Sequence, residues 1–320
     1  MALASGLAAQ LGFKQETTWG TAVTVDTFTP FLSETLKQQI DWLESKGIVA
    51  GALMPNQSLA TQGKVHVGGD IQLELNDRSM KTLLYHCLGS ITTTGTTAPY
   101  VSTITTASLF GLGLTVQIGR PDRNGTVQPF TYAGMKVDSW QVACKAAEIA
   151  TMGITLAGKT ETTGTALASA SFTSPLPAPM TGAYSGGSFQ LAGSTLCVRD
   201  VKVMGKNNLN VDRRCLGSRY IDQPLEMAYR DVTGEISIEF PDLYHYNRYV
   251  NGTRGQFTFT LANQDNSATA VFSGNVRTQG APINVQSTDV LVSTMQFKCE
   301  RTNSDAGAFS IVYTSSDATP

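Results

Sequence analysis

Two stretches of the chain alternate apolar and polar positions with period two. GDIQLELND (69–77) puts Ile71, Leu73 and Leu75 on one side and Asp70 and Glu74 on the other. GEISIEFPD (234–242) puts Ile236, Ile238 and Phe240 opposite Glu235 and Glu239. Such alternation predicts a strand with one buried face and one polar, acidic face. The two stretches also align residue for residue, Gly69 on Gly234, Asp70 on Glu235, Glu74 on Glu239 and Asp77 on Asp242. A repeat of this length points to a duplicated unit.

The correspondence continues on both sides. SMKTLLYHCLG (79–89) and LYHYNRYVNG (243–252) each follow the strand and end in Gly, predicting short helices with a Gly C-cap. LTVQIGRPDRNG (114–125) aligns with FTFTLANQDNS (257–267), each a strand entering an Asp/Asn-rich hairpin turn. Beyond it, 129–158 parallels 271–300 as strand, turn, strand, turn, strand, with Phe130 near Phe272 and Met152, Ile154 and Leu156 on Met295, Phe297 and Cys299. Upstream, 31–48 resembles 198–217, with Ile40 and Trp42 near Leu209 and Val211. A long connection then follows, 49–64 in the first copy and a shorter 218–230 in the second. A Thr-rich insert, 91–108, is confined to the first copy, and a Thr/Ser/Pro/Gly-rich stretch joins the copies. The expected organisation is mainly β: an N-terminal domain 1–160 with an N-terminal arm and the loop 49–64, a linker 161–188, and a C-terminal domain 189–320, each with one short flanking helix.

Composition narrows the function. Charged residues are 15% of the 320, and net charge is −2. Residues 1–170 carry 11 basic and 12 acidic side chains, so neither half has the basic patch of a phosphate-neutralising nucleic-acid binder. A surface so poor in charge suits burial in an assembly. Cys87, Cys144, Cys197, Cys215 and Cys299 are odd in number and widely spaced, which reads as reduced, mostly buried thiols. MALASGLAAQLGF has no basic start and is read as an arm, not a signal peptide.

Catalytic chemistry is sparse. The histidines, His66, His86 and His245, match no metal or nucleophile motif and read as surface or helix-packing residues. Asp70, Glu74, Glu235 and Glu239 occupy equivalent places in a repeat, unlike the single asymmetric pair of a glycosidase. The turns RPDRNG and NQDNSA lack the further ligands of a calcium loop. Trp19, Trp42 and Trp140 are expected as core or interface anchors. No cofactor or metal is expected, and no enzyme activity.

The ordered set resembles the tail tube proteins of long, non-contractile-tailed bacteriophages, in a duplicated, two-domain form. The resemblance lies in GFKQETTWGTAVTVDTFTPFLSET, with its Gly-x-x-x-Glu-x-x-x-Gly-Thr start. It lies also in GDIQLELNDRSMKTLLYHCLG and its repetition as GEISIEFPDLYHYNRYVNG. It implies a tail-tube-type β-sandwich or small barrel flanked by one helix, whose sheet joins its neighbours' into an inner β-barrel. It implies a virion protein, assembled in the host cytoplasm, that polymerises into stacked rings forming the conduit for genome ejection. Two domains per chain imply a homotrimeric ring with pseudo-sixfold symmetry. Implied partners are further copies of the chain, a tape measure protein, and tail terminator and distal tail proteins, with DNA passing through the lumen without specific binding. Asp70, Glu74, Glu235 and Glu239 are then candidates for the lumen, where carboxylates would repel phosphate. Val49, Leu53, Met54, Pro55, Asn56 and Leu59 are candidates for a loop reaching the adjacent ring. The competing expectation is a virion-associated β-protein that binds carbohydrate or a receptor, or decorates a capsid.

Overall fold

The computed structural model describes residues 5–172, 176–183, 186–240, 242–280, 291–302 and 308–317. The first half supplies β1 (Gln10–Gln15), β2 (Thr27–Phe28), β3 (Ser33–Glu34), β4 (Lys37–Glu44), β5 (Ala60–Glu74), α1 (Lys81–Leu88), β6 (Gly89–Thr94), β7 (Tyr100–Thr106), β8 (Leu114–Pro121), β9 (Val127–Lys145), β10 (Thr151–Gly158) and β11 (Thr160–Thr162). The second supplies β12 (Ser188–Leu191), β13 (Ser194–Thr195), β14 (Val198–Lys206), β15 (Asp231–Glu239), α2 (Tyr244–Val250), β16 (Gly255–Ala262), β17 (Thr269–Gly280), β18 (Val292–Cys299) and β19 (Phe309–Ser315). The protein is mainly β, as the period-two patterning predicts, and all strand pairs are antiparallel.

One strand organises each half. The N-terminal part of β9 pairs with β8 and β11, and its C-terminal part pairs with β10 and β14. It therefore leaves one sheet and enters another. Gly134 sits at the crossing with φ 69°, a conformation that a side chain disfavours. β17 repeats this pattern, with β16 and β19 along its first part and β18 along its last. Even the bulges agree. The β10–β9 register skips Asp138 between Val137 and Ser139, and the β18–β17 register skips Gln279 between Thr278 and Gly280. The sequence pattern predicts two strands within 129–145, but the chain runs straight through, because the bend at Gly134 re-aims the strand without ending it.

The C-terminal part of β9 pairs with β14 over Lys145–Asp200 to Ser139–Lys206. This junction fuses the halves into one central sheet, ordered β4, β5, β10, β9, β14, β15, β18. Its apolar face belongs to one continuous core, aliphatic around Leu73, Val142, Met152 and Ile154, and aromatic around Phe257, Phe272, Phe297 and Phe309. At the junction the Trp140 indole lies over Gly205, where an added Cβ would sit 2.3 Å from the ring.

Pairing fixes the register of the repeat. Gly69 faces Leu156 and Gly234 faces Phe297, so the alignment of 69–77 with 234–242 holds in space. Two other alignments shift by two residues. Ile154 corresponds to Met295 and Leu156 to Phe297. Trp42 corresponds to Leu209, counted from Leu36 and Val203, which lie level with Gly69 and Gly234. A slip of two preserves an alternating pattern, so sequence periodicity cannot exclude it.

The connections depart further from expectation. β5 begins at Ala60, so 60–64 are strand and the loop tip is 45–59. The second connection is the longer one, a strap over 207–230 that contains no named strand. The Thr-rich insert folds as the β6–β7 hairpin and pairs with β19 of the other half. The expected linker carries β11 and is pinned at Met180, whose N–H donates to Leu75 O at 2.7 Å. Within the expected arm, Gly6–Ala8 form a 3-10 turn and residues 10–13 belong to β1, paired with β8. Helix α1 ends on Gly89 in the left-handed region, whereas α2 passes Asn251 first and turns left-handed at Gly252. The turn expected after β17 lies at 281–290, outside the described residues.

Gly205→Val should force Trp140 off its site and cost about 1–3 kcal/mol. A lower thermal midpoint checks this, and an unchanged midpoint would mean the junction tolerates the extra atoms.

Candidate assembly surface

Residues directly opposite on paired strands point to the same side of a sheet. On the side away from the core, this draws rows across both halves. One runs Asp70, Thr155, Ser139, Lys206, Asp231. The next runs Gln72, Gly153, Gln141, Met204, Thr233, Lys298. A third runs Glu74, Thr151, Ala143, Lys202, Glu235, Gln296. The four acidic candidates thus share one face, with Glu239 further along β15 near its end.

They do not make that face uniformly acidic. Lys202 lies opposite Glu235, Lys206 opposite Asp231 and Lys145 opposite Asp200, and the Lys298 amine pairs with Asp231. Of these four lysines Lys298 alone makes an ion pair, and Asp231 lies beside both Lys298 and Lys206, so four lysines are interleaved with three carboxylates. Glu239 is held by Arg199, at 2.5 Å. Asp70 accepts from Thr155 Oγ1 at 2.7 Å, and Glu74 lies opposite Thr151. The free negative charge therefore sits mainly on the first half. The alternation of VKVMGK in β14 carries the sequence signal that puts Lys202 and Lys206 on this face.

The loop candidates lie together at the tip of the β4–β5 hairpin. Val49, Leu53, Met54, Pro55 and Asn56 are exposed, as is Ile48, while Leu59 is half-buried. Asn56 Oδ1 accepts from Ser58 N at 3.0 Å and starts a 3-10 turn at Gln57–Leu59. The strap steadies the hairpin from the other half. Val65 N donates to Arg219 O at 3.0 Å, Arg214 Nη2 to Val65 O at 2.9 Å and Arg219 Nε to Gly63 O at 3.0 Å. The apolar tip projects on a braced stem.

Glu16, in the opening motif, is a buried lock. Its carboxylate accepts from Gly20 N at 2.6 Å, Gly134 N at 2.7 Å and Thr115 Oγ1 at 3.0 Å. Burial holds its carboxyl above the usual range despite these donors. Trp19 Nε1 donates to Gly134 O at 3.0 Å, so the motif clamps the bend of β9 from both sides. The Gly-x-x-x-Glu-x-x-x-Gly-Thr spacing marks Glu16 in the sequence, but its acceptor role depends on Gly134 and Thr115, which are far along the chain.

The remaining candidates are structural. His66 is exposed beside Asp41, and His86 and His245 are buried on their helices. No metal-holding cluster occurs among the described residues. Cys87 and Cys144 are buried and Cys299 is half-buried, but Cys197 and Cys215 are exposed, so the thiols are less uniformly buried than expected. Trp140 is in the core, Trp19 is half-buried and Trp42 is exposed. No described helix is long and apolar enough to cross a membrane.

A bent-strand repeat merged into one sheet, polar on one face and edged by an exposed β4, defines a β-sheet structural subunit. The family described as phage tail tube protein matches residues 6–299, and the chain belongs to it. The protein is therefore a structural component of the phage virion tail. No curated protein matches the chain.

Glu16→Ala should leave the Gly20 and Gly134 N–H groups without their acceptor. The cost is roughly 1–3 kcal/mol for each buried donor, read as a lower urea midpoint. His86 gives a pH signature. Burial, with the Lys136 charge, lowers its pKa from 6.5 to about 3. The unfolded chain therefore takes up this proton first, and stability falls as pH drops from 6.5 towards 3. His86→Leu should flatten that slope in urea titrations across the window.

Proposed function

We propose that copies of this chain close into rings and stack into the tail tube through which genome DNA is ejected. The role is structural and not catalytic. The observation that carries the reading is the repeated pairing pattern, joined at β9–β14, with β4 left at the edge of the central sheet. Among the described residues β4 pairs only with β5. An exposed strand edge favours a partner strand. A ring in which each copy's β4 meets the far end of the next copy's sheet would repeat the internal junction. Three copies would then give six similar places, with each chain's two halves (residues 1–160 and 189–320, joined by 161–188) filling two of them.

In this ring the polar face lines the channel, bringing Asp70, Glu74, Glu235 and Glu239 to the lumen. Carboxylates set opposite Lys145, Lys202 and Lys206 break up any run of positive charge that could hold phosphate. The unmatched Asp70 and Glu74 tilt the balance towards repulsion. DNA would slide without specific binding. The braced apolar tip, Val49, Leu53, Met54, Pro55, Asn56 and Leu59, would seat on the adjacent ring. Ends of the stack would meet a tape measure protein and the terminator and distal tail proteins, after assembly in the host cytoplasm.

Replacing 48–56 by a short Gly-Gly turn tests the stacking role. Negative-stain microscopy should find single rings in place of tubes. Tubes of ordinary length would remove the tip from inter-ring contact.

A further inference from the structure

The two helices occupy corresponding places but differ in cover. In α1 every residue except Tyr85 is buried, whereas in α2 only His245 is. Leu243 at the N-cap and Tyr244, Tyr246, Tyr249 and Val250 of α2 stand exposed. Part of the cover on α1 comes from β6 and β7, which have no counterpart in the second half. More comes from β9 and from the strap that follows the β9–β14 junction. Asn207 Nδ2 donates to Cys87 O at 3.2 Å, and Arg230 Nη1 donates to Leu88 O at 2.6 Å. The bulged Asp138 accepts from Asn207 N at 2.7 Å and from Leu209 N at 3.0 Å. The second half thus seals the C-terminal end of α1.

The counterpart of that seal is missing at α2. Leu36, Gln38, Ile40 and Trp42 correspond to Val203, Gly205, Asn207 and Leu209. Leu209, whose N–H donates to Asp138 of the first half, is 3% exposed, whereas Trp42, on the edge strand β4, is 59% exposed. Leu43 beside it is exposed as well. Counted from the helix ends, Cys87 and Leu88 correspond to Tyr249 and Val250. Gln279, the counterpart of Asp138, is exposed too. One chain therefore carries both halves of an unmade contact, an aromatic helix face at one end of its sheet and a bare tryptophan at the other.

We propose that Trp42 of a second copy seats on the exposed face of α2, against Tyr249 and Val250, as Leu209 and Asn207 seat against the first half within the chain. The occupant is the neighbouring copy in the same ring, so the contact rests on the ring reading above. A polar seal inside the chain, made by Asn207 and Arg230, is replaced between chains by an apolar one. Burying an exposed Trp and Tyr at a protein interface is strongly favourable and typical of anchoring residues.

Two readouts on the full chain test this. Trp42 is the exposed tryptophan of the three, so iodide should quench the dispersed protein strongly. Assembly should remove most of that quenching and shift emission to the blue, and Trp42→Phe should abolish the change. Second, Trp42→Cys with Val250→Cys, in a Cys197→Ser/Cys215→Ser background, should cross-link on mild oxidation of assembled protein. The covalent ladder should stop at the number of copies in one ring. Tubes in which Trp42 stays as quenchable as in the monomer overturn the contact alone. A ladder running past one ring also overturns it, because Trp42 would then touch a different ring. A folded chain that stays monomeric at high concentration overturns the ring reading, and the contact with it.

Discussion

The backbone pairing of β9 with β14 is the interaction on which the rest of the molecule depends. It takes the free C-terminal edge of one bent strand, β9, and β14 of the second half, and satisfies both in one ladder. Without it, each half would end in an open edge, a liability for any β-protein. With it, the polar residues of both halves fall into continuous rows, and the strap beyond β14 reaches back to brace the β4–β5 hairpin. The same junction explains why Gly205 carries no side chain, since Trp140 fills that space.

What the junction does inside the chain, we propose the ring does between chains. The exposed edge of β4, the uncovered Trp42 and the bare face of α2 are the corresponding features left open in one copy. Interleaved charge on the polar face then has a purpose in the proposed channel. A surface of bare carboxylates would repel its neighbours across the ring as well as DNA, whereas lysines set opposite Asp200, Asp231 and Glu235 limit that self-repulsion.

Much of this was legible in the sequence. The strands at 69–74 and 234–239, both helices, both Asp/Asn hairpins and the family resemblance followed from alternation and turn residues, which are local signals. Non-local features were hidden. Two alignments slipped by two residues, because such a slip leaves every side chain on its face. The run through Gly134 resembled a turn, since Gly marks both. The strap over 207–230 has little periodicity because it is fixed by hydrogen bonds with Gly63, Val65, Lys136 and Asp138, all distant in sequence. Acidic residues were easy to see as repeated pairs. Their lysine neighbours come from other strands and required the register.

The central claim is that the polar face of the joined sheet becomes the wall of a channel. Cryo-electron microscopy of the assembled protein at side-chain detail tests it most directly. The account predicts rings of three chains with six similar places, and the row Asp70, Thr155, Ser139, Lys206, Asp231 turned towards the lumen. A tube with that row on its outer wall, or an assembly in which β4 remains an open edge, would contradict it.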